Sequence, residues 1–307
     1  MKSCPASTDT LSAGVPPAWP RAKLPPSKAM NKSNDLDMAV ARAAEAIEEA
    51  GGILITAGAG MGVDSGLPDF RGTAGFWGAY PALGRARMHF GDIANPQAFI
   101  DSPRLAWGFY GHRLNLYRKT VPHGGFRILR EIAERKRHGA FAFTSNVDGH
   151  FQAAGFAARD VCEIHGSIHQ LQCLDGCRGK VWPATDFNPE VDEAECWLTN
   201  EPPACPHCGG IARPNILMFG DWGWLDFRER LQMQNLREWY DSAGSIAVIE
   251  IGAGTTIPTV RQFGEDSGGR LIRINLSESA VDGTKDVALP LSGLDALRRI
   301  ATVLGIV

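Results

Sequence analysis

The sequence predicts an α/β fold: a Rossmann-like, doubly wound parallel sheet carrying a smaller second lobe. Three observations predict it. Short apolar runs recur at residues 52–56 (GILIT), 140–144 (AFAFT), 246–251 (IAVIEI) and 271–274 (LIRI). Such runs suit strands buried on both faces of a parallel sheet. Helical patterns at 125–137 and 231–242 separate them, giving the strand–helix alternation of a doubly wound sheet. Two stretches, 73–120 and 171–211, break the rhythm and read as insertions that form the second lobe.

Taken in order, residues 1–32 are a Pro-rich tail, with Pro16, Pro17, Pro20, Pro25 and Pro26 close together. A stretch of this kind buries too little apolar surface to offset its ordering entropy, so it is expected to be disordered. It has no apolar core of a secretory signal, and Met30 is a second candidate start. Residues 33–307 are expected to be one two-lobed domain. A helix is predicted after Ser33 or Asn34, where Leu36, Val40, Ala43, Ala44 and Ile47 share a face; Gly51 and Gly52 end it. The expected large lobe comprises 33–72, 121–170 and 212–307. The small lobe holds the helical insertion 73–120 and a cysteine-bearing module at 171–211.

The 307 residues are 44% hydrophobic and 21% charged, with a net charge of −3. That balance suits a globular chain and gives no electrostatic case for nucleic acid or an anionic membrane. No apolar run is long enough to span a bilayer. The seven cysteines, an odd number in a chain without a signal, argue against a disulfide framework and for a reducing cytoplasm.

Four of those cysteines form two knuckles, Cys173-x-x-x-Cys177 and Cys205-Pro-His-Cys208. Two knuckles at this separation suit one tetrahedral zinc ion held by four thiolates, structural because no position is left for substrate. Four buried or disulfide-linked cysteines are the plainer alternative. Cys4, Cys162 and Cys196 are left without a role.

The most informative segment follows the first strand. It reads Gly58-Ala59-Gly60-Met61-Gly62-Val63-Asp64-Ser65-Gly66-Leu67-Pro68-Asp69-Phe70-Arg71. Its glycines would let backbone N–H groups approach a pyrophosphate. It is not the dehydrogenase fingerprint, since Val63 and Ser65 stand where G-x-G-x-x-G needs glycine. By glycines alone it is equally a tight turn. Its continuation resembles the sirtuin signature G-A-G-I-S-x-x-S-G-I-P-D-F-R, with Gly62 in place of a usual serine.

Further matches follow in order. Thr144-Ser145-Asn146-Val147-Asp148-Gly149 resembles the family's T-Q-N-I-D-G, and His165-Gly166 its H-G. The cysteine quartet falls where the family carries a structural zinc. Residues 213–221 (RPNILMFGD) resemble R-P-x-V-V-x-F-G-E. Departures are Ser145 for glutamine, His150 for leucine, a first knuckle one residue wider than usual, and Gly252-Ala253-Gly254 for G-T-S.

The resemblance implies an NAD-consuming protein-lysine deacylase releasing nicotinamide and O-acyl-ADP-ribose, with acylated-lysine proteins as partners. It implies that Gly58, Ala59, Gly60, Asp69, Phe70, Arg71, Ser145, Asn146, Asp148, Gly252, Gly254 and Asn275 bind NAD. Phe70 would shield the reactive ribose carbon, Asn146 fix the ribose or a water, and Asp148 hold the nicotinamide amide. His165 would be the general base. Ile216, Leu217 and Phe219 would pair with the substrate peptide as an added strand; taken alone they read as an ordinary buried strand. Tyr110-x-x-Arg113 shares a helix face at i and i+3, and a phenol beside a guanidinium can grip a carboxylate. With the small Ala94, it resembles the acyl pocket of class III sirtuins, which remove succinyl, malonyl and glutaryl groups. A core tyrosine beside a surface arginine is the plainer alternative. An NAD glycohydrolase or mono-ADP-ribosyltransferase on the same scaffold, and a non-catalytic NAD sensor, are the rival functions.

Overall fold

The computed structural model describes residues 32–68 and 72–306. The expected tail therefore falls outside the described residues, apart from Lys32, and so do Asp69, Phe70 and Arg71. The first helix spans Lys32–Glu49. The strands that follow are β1 (Gly52–Ala57), β2 (Ala140–Thr144), β3 (Val161–Glu163), β4 (Gly166–Cys173), β5 (Val181–Pro183) and β6 (Val191–Asp192). After them come β7 (Trp197–Leu198), β8 (Ala212–Ile216), β9 (Ile246–Ile251), β10 (Arg270–Ile274) and β11 (Val287–Leu289). The four apolar runs of the sequence are β1, β2, β9 and β10.

Six strands make one wholly parallel sheet in the order β11-β10-β9-β1-β2-β3. Alternate residues feed opposite faces. Ile53, Ile55, Ala142, Ile249 and Ile272 pack against helices Lys32–Glu49, Gly124–Glu134 and Gly293–Val303. Leu54, Phe141, Phe143, Val248 and Leu271 pack on the other face with Leu236 of helix Phe227–Ala243 and Val260 of helix Thr259–Asp266. The predicted amphipathic helix obeys the same logic: Val40, Ala43, Ala44 and Ile47 are buried, and Leu36 is packed at the edge of the core.

The chain winds from β1 outward through β2 and β3, then returns to the other side of β1 as β9 and winds outward again. The sheet's switch point is therefore the gap between β1 and β9, and a ligand crevice is expected beyond the carboxyl ends of those strands.

A second core lies off the sheet. It is built by Trp107, Phe109, Tyr110 and Leu114 of helix Pro103–Lys119, with Phe76, Phe99, Val147, Ile168, Leu171 and Ile216. Its sheet is antiparallel, β5-β4-β8. The two cores consequently do not divide at residues 170 and 212, where the sequence reading places the lobe boundary. β4 and β8, counted partly or wholly with the large lobe, pair with each other in the second sheet. The hairpin β6–β7 clamps the long helix from outside. A Cβ on Gly108 would lie 2.0 Å from the Cys196 carbonyl oxygen, so only glycine lets the helix seat there. Cys196 is thus a buried hairpin residue, with φ +52°.

Candidate active site

The two glycine turns meet at the switch point. Gly58 follows β1 and donates its N–H to Ile251 O (3.0 Å); Gly60 donates to Gly252 O (3.1 Å). A Cβ on Gly58 would lie 2.7 Å from Gly252 O, and one on Gly252, at φ +61°, would lie 2.4 Å from the Gly60 Cα. The close approach that requires these glycines is therefore loop against loop. The N–H groups of Gly58 and Gly60, offered to a pyrophosphate by the sequence reading, are already bonded to protein carbonyls. Gly62 is buried, and a Cβ there would come 2.9 Å from Leu67 Cδ1, so the serine's usual place is taken by a leucine side chain.

The loop after β2 is tied into the same crevice. Thr144 Oγ1 donates to Ala57 O (2.8 Å) and accepts from Asn146 N (3.0 Å). Asn146 Nδ2 donates to Gly58 O (2.9 Å), which holds its amide at the mouth of β1. Ser145 N bonds Ala57 O (3.3 Å). Asp148 is buried; its Oδ1 accepts His150 N (2.9 Å) and its carbonyl is bonded by His169 Nε2 (2.8 Å). His150 sits in the leucine position as a buried ring edge-on to Tyr117 and Phe126.

Two histidines that sequence reasoning passed over hold this region. His169 is one; His123 is the other, with its N–H on Ser65 Oγ (2.9 Å) and Nε2 on Met61 O (2.9 Å). A lone histidine, whether buried in a loop like His123 or half-buried on β4 like His169, gives no pattern in the sequence by which to find it.

His165 is partly buried between β3 and β4. Burial lowers its pKa below the ordinary 6.5, opposed by a hydrogen bond with the Ser145 backbone. Burial likewise lowers His123 and His169. All three fold as neutral rings, whereas the unfolded chain takes up protons near pH 6.5, so acid favours unfolding. Stability should be fully present at pH 7.5 and should fall as pH drops below about 6.5. Buried Glu163, with its carboxyl raised, acts in the opposite sense at lower pH. A melting temperature unchanged between pH 7.5 and 5.5 would contradict this assignment.

The segment after β8 bridges this histidine to the helical insertion. Ile216 pairs with Gly166, Leu217 N donates to His165 O (2.9 Å), and Phe219 N donates to Ala94 O (2.9 Å). A Cβ on Gly166, at φ +77°, would lie 2.1 Å from Asn215 O, so the glycine after the histidine is what allows β4 and β8 to close. Ile216 is buried, while Leu217 and Phe219 are exposed. A bidentate ion pair, Arg213 Nη1 to Asp221 Oδ2 (2.7 Å) and Nη2 to Oδ1 (2.8 Å), staples the two ends of the segment.

Tyr110 and Arg113 lie on helix Pro103–Lys119. Tyr110 is buried and stacked on Phe99. Arg113 is partly buried, over the Phe109 ring at 5.3 Å. Its Nε and Nη2 both donate to Tyr117 Oη, at 3.0 and 2.7 Å, a partner the sequence reading missed although i,i+4 spacing points to it. Burial pushes the Tyr80, Tyr110 and Tyr117 phenols upward, so all three keep their protons at neutral pH.

Just past β10, Asn275 works as a staple: Nδ2 donates to Ala253 O (3.0 Å), and Oδ1 accepts Ser277 N and Glu278 N. Gly254 faces open space apart from Glu278.

The four knuckle thiols lie within 4.8 Å of one another, Cys173 Sγ 3.7 Å from Cys208 Sγ and Cys177 Sγ 3.6 Å from Cys205 Sγ. A disulfide needs about 2.05 Å. Four Zn–S bonds of about 2.3 Å in a tetrahedron set the thiolates about 3.8 Å apart. The quartet fits zinc.

A model of the Sir2 family matches residues 58–253. An NAD-dependent protein deacylase of Aeropyrum pernix is 30% identical over 81% of this chain and 91% of its own. One of Aquifex aeolicus is 28% identical over 81% and 93%. Among solved structures, a mutant Sir2 homologue in complex with ADP-ribose is 25% identical with a TM-score of 0.59, covering 86% of this chain and 97% of that one. A Sir2 homologue–NAD complex, 22% identical, shares the fold with a TM-score of 0.63 over 90% and 94%.

Proposed function

The chain belongs to the Sir2 family, and from that premise we propose that it removes acyl groups from protein lysines at the expense of NAD. The observation that carries this is the bridge of residues 216–219, bonded at one end to the backbone of His165 and at the other to that of Ala94. It sets the exposed Leu217 and Phe219, just past the end of β8, where an extended peptide could lie, beside the crevice where the two glycine turns and Asn146 converge.

NAD supplies an activated nicotinamide–ribose bond. The residues of this chain bind and orient around it. Gly58, Ala59 and Gly60 meet Gly252 to form the floor of the crevice, with Gly254 beside them. Asn146, pinned to Gly58 O, orients the ribose, and Asp148 accepts from the nicotinamide amide. Ser145, through its carbonyl, holds one ring nitrogen of His165. When that nitrogen donates, the other carries the lone pair, so the neutral ring can take a proton from the ribose hydroxyl. Asp69, Phe70 and Arg71 complete the site in this reading. Leu217 and Phe219 contact the substrate on either side of the acyl-lysine.

His165→Ala should lower acyl-peptide-dependent NAD consumption by about 10²- to 10⁴-fold. Mass spectrometry of products with and without acyl peptide tests the reading. Nicotinamide with O-acyl-ADP-ribose, formed only when peptide is present, is expected. Peptide-independent ADP-ribose, or ADP-ribosylated protein, would overturn it in favour of a glycohydrolase or transferase.

The finer reading is a pocket favouring succinyl, malonyl and glutaryl lysine. What supports it is a guanidinium among three neutral phenols, with the small Ala94 in the helical insertion where the bridging segment is anchored. Losing a hydrogen bond to a charged group costs roughly 1.5–3 kcal/mol, so Arg113→Met should lower succinyl-peptide kcat/KM about tenfold or more. An unchanged succinyl-to-acetyl ratio in that variant would refute the preference. No helix among the described residues is long and apolar enough to cross a membrane.

A further inference from the structure

We infer that Tyr117 is a positioning residue for acyl selectivity, orienting Arg113 toward the acyl group through its hydroxyl. The inference rests on the acidic-acyl reading above and adds a residue to it.

The geometry is specific. Arginine is useful against a carboxylate because its N–H groups form a planar fork, and the benefit depends on the plane being set beforehand. A long side chain on a helix does not set its own plane; it has several rotatable bonds and loses entropy when held. Here two donors of Arg113, Nε and Nη2, converge on the single Tyr117 oxygen at 3.0 and 2.7 Å. Two bonds from one edge of the guanidinium to one atom fix both the rotation and the tilt of the plane. The guanidinium also lies over the Phe109 ring at 5.3 Å and the Tyr117 ring at 5.5 Å, which confines it from two sides.

Tyr117 is held by its own packing. Its ring is buried, one turn beyond Arg113 on the same helix, and meets the buried His150 ring edge-on at 6.4 Å. His150 begins the turn after Asp148, whose Oδ1 its backbone N–H bonds. The tyrosine is thereby braced against the loop that carries Asn146 and Asp148. Its oxygen accepts both arginine bonds and keeps its own proton.

The test compares wild type, Tyr117→Phe and Arg113→Met on two peptides of one sequence, succinylated and acetylated, with full kinetics and melting temperatures. Tyr117→Phe keeps the buried ring and removes only the oxygen. It should lower the succinyl-to-acetyl ratio of kcat/KM about tenfold, with the loss mainly in the succinyl KM. A purely structural role would lower both substrates alike and leave the ratio unchanged. That outcome, or no change at all, overturns the inference whenever Arg113→Met still lowers the ratio. If Arg113→Met leaves the ratio unchanged, the acidic-acyl reading itself has failed, and the role of Tyr117 falls with it.

Discussion

Removing the metal from the four-cysteine cluster should unfold the second sheet and, through it, disable His165. Cys173 is the last residue of β4 and pairs with Ala212 at the start of β8; Gly166, at the other end of β4, pairs with Ile216. The cluster therefore clips one end of a ladder whose other end adjoins His165, the proposed general base. Without zinc, only weak thiol–thiol contacts at 3.6–3.7 Å would hold the pairs together. Structural zinc sites contribute about 10 kcal/mol or more to the folding of small modules, comparable to the whole stability of a domain. Cys177 and Cys208 are exposed, so a chelator has access. One zinc per chain is expected by metal analysis, and chelation should bring parallel loss of near-UV dichroism and deacylation. Metal-free protein with unchanged melting and turnover would refute the role.

Asp221→Ala should cost about 3–5 kcal/mol, because it leaves the Arg213 guanidinium charged, buried and unpaired. The two side chains are 1% and 0% exposed. Arg213 also reaches Ile216 O, and Asp221 accepts from Met218 N and Gly223 N, so the carboxylate closes the turn that presents Leu217 and Phe219. Melting should fall by roughly 10 °C, and the KM for acyl peptide should rise. Replacing both partners, as Arg213→Met with Asp221→Leu, should restore much of the stability but not the peptide KM, since an apolar pair needs no charge compensation yet makes no turn bonds. A single Asp221→Ala variant melting within about 2 °C of wild type would show that the pair is not buried in solution.

Much of the large sheet was legible in the sequence, and for a physical reason. β1, β2, β9 and β10 are covered on both faces, so apolar residues run continuously and announce themselves. β3 has only three residues and no such run. The second sheet was hidden because its strands bury polar side chains. Gln172 and Asn215 face each other at 2.8 Å, and both bond Leu225, making a closed amide network in place of an apolar pattern. The crevice was legible through Gly58, Asn146 and His165, whose neighbours in the chain identify them. The reason for the glycines was not, since the loop they press against lies far along the chain. Tyr117 belongs to the same class: its role depends on where Arg113 turns, which helical spacing permits but does not dictate.

The central place of β1 in the sheet bears on how the protein is made. Among the described strands it comes earliest in the chain, yet Gly52 pairs with Ile246, and Ile53 with Ala140. One edge of β1 waits for β2; the other stays open until the whole second lobe and helix Phe227–Ala243 have been synthesised. Closing so long a loop is slow, and a bare apolar strand edge is a template for unwanted pairing. The nascent chain must therefore complete its metal-bearing lobe while the nucleotide-binding sheet is still half built.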